Sequence, residues 1–591
     1  MKKRLVTLLL ALTLTAASFT GCGAKETDTE TSDNSVHTAA SSATAGDTAA
    51  EYPEYVDEDA SAYEPMVEAE AVESYKSNSN VRGNSSAKAA TSADATLNYG
   101  VEEYWDYAPG SETYANVYEN GFKDARSNPL STFGADVDTA SYSNMRRMIE
   151  YGSDLEDLQH SGIRVEELVN YFPYDYKKSN KDIFSVDATV ADCPWNRDNK
   201  LLILGITTKE IKEAERPDSN IVFLVDVSGS MSSQNKLPLL KDAMELLVEN
   251  LTENDTVSIV TYASGTGVAL EGARGDDKEK IMRAFSKLEA GGATNGEGGI
   301  QLAYGLAEDY FIKDGNNRVI IASDGDFNVG ASSRDDLYDL ISEKKDSGIF
   351  LSVLGFGMGN YNDVTMETLA DSGNGNYAYI DNLSEAKKVL VDEMSSTLYT
   401  VAKDTKFQIE FNPELVSEYR QIGYENRALK SEDFTDDTKD GGELGSGHQV
   451  TVMYELNLND EYEGKTDLKY QKSSAKEIPE GSEWCTLSIA YKEPDKDKSE
   501  YLECPIGVSN YTTDPTDDFI FAAAVAQAGM AMNNSEYLED FRSNEEAVED
   551  AIDSITELDL KDEYREEFVE LMEELVSYRS GRNDRRYIEA Y

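Results

Sequence analysis

The residues best placed to do chemistry lie between Ser219 and Met231, in the stretch SNIVFLVDVSGSM. Asp226, Ser228 and Ser230 occupy alternate positions there, and Gly229 between the two serines permits a sharp bend. A carboxylate and two hydroxyls on one tight loop suit a hard cation such as Mg²⁺, which takes about six oxygens and keeps some of its waters. The same residue types also suit a Ser/Gly turn that caps the following helix, with Asp226 as the capping residue. Two later segments favour the metal. Gly291-Gly292-Ala293-Thr294-Asn295-Gly296 is a glycine-rich loop that presents one threonine hydroxyl, and Val319-Ile320-Ile321-Ala322-Ser323-Asp324-Gly325-Asp326 is an apolar run ending in carboxylates.

Such residues must be carried by a scaffold, and the surrounding pattern supplies one. Ile221 to Val225 is continuously apolar, as in a strand buried on both faces. A loop at the carboxyl end of a buried parallel strand is where open α/β sheets keep their ligand sites. Apolar periodicity predicts helices over 237–250, 278–288, 298–311 and 334–347, alternating with strands over 256–262, 319–323 and 350–355, and a last helix over 383–399. The expected fold class is α/β, a mainly parallel sheet covered by helices on both faces.

This arrangement resembles the von Willebrand factor type A (VWA) domain, whose metal-ion-dependent adhesion site (MIDAS) draws D-x-S-x-S, a Thr and an Asp from three loops. Matched residue by residue, the resemblance implies that Asp226, Ser228, Ser230, Thr294 and Asp324 hold a divalent cation, Mg²⁺ or alternatively Mn²⁺ or Ca²⁺. The three hydroxyls would coordinate directly and the two aspartates through bound waters. An open position would accept a carboxylate from a protein or glycan partner. The resemblance also implies a last helix, 383–399, that shifts on ligand binding.

The expected organisation runs from a lipoprotein signal peptide (1–22) and an acidic tether (23–100) to an N-terminal VWA-associated segment (101–180). Strands of a flanking sandwich (181–216), the VWA domain (217–399), a C-terminal β domain (400–515) and acidic helices (516–591) follow. Lys2, Lys3 and Arg4 precede an apolar run that ends at Phe19-Thr20-Gly21-Cys22. This resembles a bacterial lipobox and marks Cys22 for lipidation, which places the chain on the extracytoplasmic face of the cell membrane. The tether is rich in Ser, Thr, Ala, Asp and Glu and has too little apolar content to offset its ordering entropy.

Strands are predicted near 183–190 and 201–208, and again at 406–411, 449–456, 468–471, 486–491 and 501–508, with the alternation of antiparallel structure. Together they predict a β-sandwich into which the VWA domain is inserted. Helices are expected over 145–151 and 164–171, with Asp138 and Ser141 capping the first, and over 519–532, 545–558 and 561–579. Asp136-Val137-Asp138-Thr139 fits a D-x-D-x-T phosphatase motif, but 130–135 is a poor candidate for the buried strand that chemistry needs. The segments 128–144, 423–427 and 441–448 resemble those of a group of bacterial VWA lipoproteins, a resemblance that supplies no function for the C-terminal region.

A net charge of −59 over 591 residues argues against nucleic acid and anionic headgroups as partners. Three scattered histidines, His37, His160 and His448, do not build a zinc cluster or a histidine-based catalytic centre. Of the four cysteines, Cys485 and Cys504 flank a predicted hairpin and are expected opposite each other as a disulfide. A metal-assisted hydrolase would need a general base beside the ion, and only Asp324 and Asp326 stand there, with no nucleophile–base pair. The sequence thus reads as a non-enzymatic binding protein, with an envelope scaffold or assembly factor as a further alternative.

Overall fold

A computed structural model describes residues 112–577, apart from 113, 115, 179–180, 213–214, 295–296, 326–333, 360, 394–398, 460–461, 463–475, 477, 495, 497 and 561. The signal and lipidation site at Cys22, the tether, the strand expected at 468–471 and Asp326 lie outside the described residues.

The apolar run at 221 forms the inner strand Ser219–Asp226, every residue of which is buried. It pairs in parallel with Thr256–Tyr262 on one side and Asn316–Ser323 on the other. The described sheet has six strands, continuing through Ile349–Phe356 to Tyr377–Ile380 at one edge and Thr266–Arg274 at the other. Thr266–Arg274 is antiparallel to its neighbour and largely exposed, so its apolar pattern is too weak to announce a strand. Tyr377–Ile380 has only four residues. Two apolar layers cover the faces: Phe223, Leu240, Met244 and Phe285 on one, Val222, Leu224, Tyr304 and Ile341 on the other. Of the last helix, expected over 383–399, Leu383–Lys387 is α-helical and Lys388–Asp392 continues as a π-helical turn, and 394–398 lie outside the described residues.

The flanking strands form two antiparallel sheets around a common core that includes Leu202, Leu204, Val450, Phe407, Ile409, Leu487 and Ile489. Lys200–Thr208, before the VWA domain, pairs with Gln449–Leu458, after it, from Lys200↔Leu456 to Thr207↔Gln449. The VWA domain is therefore inserted between strands of one sandwich. Leu130–Gly134 is a strand after all, laid along Thr400–Phe411. The hairpin register differs from expectation. Cys485 faces Ile506 and Leu487 faces Cys504, and the thiols of Cys193, Cys485 and Cys504 are free. A slip of two residues keeps each side chain on its face of the pleat. It also places Ile506, which is buried, against Cys485.

A third core joins segments far apart in sequence. Ala140–Glu150 and Val165–Asn170 pack with Asp517–Met532, Asn544–Ile555 and Glu563–Ser577 through Tyr142, Leu168, Phe172, Phe521, Val548 and Phe568. Asp517–Met532 is buried almost all round, as its alanine-rich sequence requires. Asp138 and Ser141 do not cap the first helix, whose N-cap is Thr139. Asp138 instead accepts the backbone N–H of Tyr377, and the Ser141 hydroxyl accepts that of Arg164. Both are drawn into long-range contacts that outweigh the local cap. Among the described residues, no helix is long and apolar enough to cross a membrane.

Candidate metal centre

Strand pairing places the ends of Ser219–Asp226 and Asn316–Ser323 side by side, so Asp226 and Asp324 emerge at the same edge of the sheet. Both are fully buried. After Asp226 the chain bends. Ser228 N–H donates to Asp226 Oδ1 at 2.7 Å, and Gly229–Ser232 forms a short 3-10 turn. The Ser228 and Ser230 hydroxyl oxygens lie 2.8 Å apart.

Two backbone hydrogen bonds lash the glycine-rich loop to this turn. Gly229 N–H donates to Gly292 O at 3.0 Å, and Gly291 N–H donates to Val227 O at 2.8 Å. Gly292 has φ +89°, and a Cβ there would lie 2.6 Å from Ser264 Oγ, so the close approach needs glycine. Thr294, two residues on, is half-buried. All five residues singled out from the sequence thus belong to three loops at one end of the sheet.

The electrostatics favour a cation. Burial raises the Asp226 carboxyl to about 6, against the pull of the Ser228 N–H, and the neighbouring Asp324 carboxylate raises it further. Ser323 Oγ also donates to Asp226 Oδ2 at 3.3 Å. Oxygens about 2.1 Å from an octahedral Mg²⁺ stand about 3 Å from their neighbours, so the hydroxyl pair already has the spacing of adjacent ligands. This donor set, hydroxyls with buried carboxylates, fits a hard divalent ion.

One participant was not foreseen. Lys236 is buried, and its Nζ lies 2.8 Å from Asp324 Oδ2. It sits at the N-cap of the helix Leu237–Glu249, where the helix dipole disfavours a cation. That local mismatch is the signal the sequence carried. His448 is half-buried, and burial drives its imidazole down to about 4, which leaves it neutral at pH 7.

The D-x-D-x-T segment faces a different neighbour. Arg427 lies 3.1 Å from Asp136, 3.1 Å from Asp138 and 2.8 Å from Asp371 of the VWA domain. Arg164 pairs with Glu167 at 2.9 Å and Asp363 at 3.1 Å, and also with Glu367. Arg146 reaches Asp381 at 2.5 Å, Glu385 at 2.8 Å and Glu567 at 2.9 Å. These arginines clamp the VWA domain to its flanks.

A family model described as von Willebrand factor type A domain matches residues 221–326, which contain the five site residues. A model described as von Willebrand factor matches 108–203, and one described as "Uncharacterized protein YfbK, C-terminal" matches 396–577. Uncharacterized protein YfbK of Escherichia coli (strain K12) is 43% identical over 439 residues, 73% of this chain and 76% of that protein. The chain belongs to the YfbK family. Its likeness to YfbK covers more of the chain than the VWA domain alone. By contrast, inter-alpha-trypsin inhibitor heavy chain H3 of Homo sapiens is 27% identical over 191 residues, covering 31% of this chain and 21% of the heavy chain. Among solved structures, a von Willebrand factor type A protein from Catenulispora acidiphila superposes with a TM-score of 0.39 at 14% identity, covering 68% of this chain and 91% of that one.

Proposed function

We propose that this YfbK-family protein is a lipid-anchored, extracytoplasmic binding protein that grips an acidic group of a protein or glycan partner through a divalent cation, most simply Mg²⁺. The observation that carries this reading is the Ser228–Ser230 hydroxyl pair, 2.8 Å apart, beside an Asp226 carboxyl that burial raises to about 6. Ser228, Ser230 and Thr294 would hold the ion through hydroxyl oxygens, and Asp226 and Asp324 would supply negative charge through bound waters. The bound ion offers a partner's carboxylate a coordination position. Ser323 and the backbone of Gly291 and Gly292 keep the loops in place. The membrane location rests on the basic start, the apolar run and Cys22.

Titration calorimetry of the full-length protein with Mg²⁺ and with Mn²⁺ tests the centre. The wild type binds at millimolar ion or below, and Asp226→Ala loses binding while keeping its far-ultraviolet circular dichroism. Removing one of two like charges relieves repulsion in the empty site, so the fold survives. Absence of binding by the wild type, or equal binding by Asp226→Ala, refutes the reading.

A further inference from the structure

We infer that Lys236 is a charge-setting residue of this centre, a built-in cation that strengthens the hold of the metal-loaded site on a carboxylate. The inference rests on the metal reading above and goes beyond it by assigning the site's charge preference to a residue outside the ligand set.

The geometry leaves the lysine little freedom. Its Nζ meets Asp324 Oδ2 at 2.8 Å, and its side chain is 6% exposed against 0% for the aspartate. The aliphatic stem runs past Gly357, where a Cβ would lie 2.2 Å from Lys236 Cε. Gly357 has φ +75°, and its carbonyl accepts the Tyr379 hydroxyl, so the backbone that shapes the channel is itself pinned. At its base, Lys236 N–H donates to Ser233 O at 3.1 Å, in the turn that follows the serine ligands. A long cationic side chain has thus been threaded through a glycine-lined slot onto one particular carboxylate.

Burying that charge is costly unless it is used. Relative to the same pocket without it, the ammonium adds one positive charge beside Asp324. That charge offsets part of the pull of the aspartates on a divalent ion and strengthens the pull of the loaded site on a carboxylate. The ammonium also withdraws one carboxylate oxygen of Asp324 from competition for the ion's open position. In a chain of net charge −59, a local positive charge of this kind favours the approach of an acidic group.

The test separates metal binding from anion binding, with Mn²⁺ as the metal probe and acetate as the anion probe. Full-length wild type, Lys236→Met and Gly357→Ala are compared. Mn²⁺ occupancy is read from the electron paramagnetic resonance of the free ion, and acetate contact from paramagnetic broadening of its methyl proton line. Gly357→Ala keeps the lysine but pushes its stem off the aspartate, so it should behave like Lys236→Met. It also decides the matter if Lys236→Met fails to fold. Removing a unit charge within a few ångströms of the anion, at an effective dielectric constant of about 20, should weaken acetate binding by at least about tenfold. Mn²⁺ occupancy in both variants should equal or exceed that of the wild type. Acetate broadening undiminished in Mn²⁺-loaded variants overturns this assignment alone, as does loss of Mn²⁺ from both variants, which would make the lysine part of the metal scaffold. Failure of the wild type to take up Mn²⁺ overturns the metal reading and this one with it.

Discussion

Arg146 ties the VWA domain both to the helix it starts from and to the C-terminal helix. It starts from the helix Ala140–Glu150 and reaches Asp381 and Glu385 at the end of the VWA domain and Glu567 in the C-terminal helix. The guanidinium is 1% exposed, and so is Glu385. Its other neighbour, the Tyr171 hydroxyl, donates to Glu385 at 2.7 Å. Arg146→Met would leave two buried carboxylates facing each other without their cation. Removing one partner of a buried ion pair costs about 3–5 kcal/mol, because the remaining charge is stranded in a poor solvent. At about 1.4 kcal/mol per tenfold, that is between two and four orders of magnitude in the opening equilibrium. Hydrogen exchange on the full-length protein should show protection of Leu383–Lys387 falling by such a factor, with the urea midpoint lowered. A triple variant adding Asp381→Asn and Glu385→Gln removes the stranded charges and should recover most of the loss. If Arg146→Met lies within about 1 kcal/mol of the wild type, or the triple variant is no better than the single one, the cluster does not act as a desolvated clamp.

Three further outcomes follow from the same chemistry. Cells grown with labelled fatty acid should label the wild type and not Cys22→Ala; label retained in the variant excludes lipidation at that residue. At the clamp, burial raises Glu167 to about 7 and Asp363 and Asp371 to about 6, despite the opposing arginines. Carboxyls with raised folded-state values stabilise the fold at low pH and lose that contribution as pH rises through about 6–7. Urea resistance should therefore be greater at pH 5.5 than at pH 7.5, and Glu167→Gln should flatten the slope; the opposite slope would refute the argument. Alkylation of the native protein should modify half-buried Cys504 first and spare Cys193 and Cys485 until unfolding, since burial hides both and raises their thiols. A disulfide in unreduced peptide maps would contradict the observed register.

The strand that carries the candidate centre was legible because its signal is local and strong. Ile221 to Val225 can only be buried on both faces, and Asp226, Ser228 and Ser230 follow it at once. What stayed illegible depended on distant partners. Leu130–Gly134 lacks a persuasive strand pattern because Thr400–Phe411 completes it. Asp138 and Ser141 look like caps until Tyr377 and Arg164 claim them. The hairpin register was ambiguous by two residues because alternation preserves face and not partner. Lys236 was passed over as one lysine among many, although its place at a helix N-terminus was locally unfavourable.

The glycine-rich stretch Gly441 to His448 shows most clearly how function in this chain depends on assembly. Thr208, where the sandwich hands over to the VWA domain, donates its N–H to His448 O at 2.9 Å and its hydroxyl to Gly445 O at 2.5 Å. Ile211 N–H donates to Ser446 Oγ at 2.7 Å. On the returning side, Ser446 N–H donates to Tyr399 O at 2.8 Å. The linkers into and out of the VWA domain are thus tied to one turn. Gly447, at φ +73°, lets that turn close between them. An inserted domain held at such a knot can pivot, but it cannot separate from the sandwich. The arginine clamp adds attachments at Asp363, Asp371, Asp381 and Glu385, and Lys345 adds another to Asp440 at 2.8 Å; together they oppose a pivot. With these attachments, a displacement of Leu383–Lys387 must either break buried ion pairs or carry the helices around Arg146 with it. Weakening the clamp should therefore loosen the tie between Leu383–Lys387 and the flanking helices while leaving the candidate metal site intact.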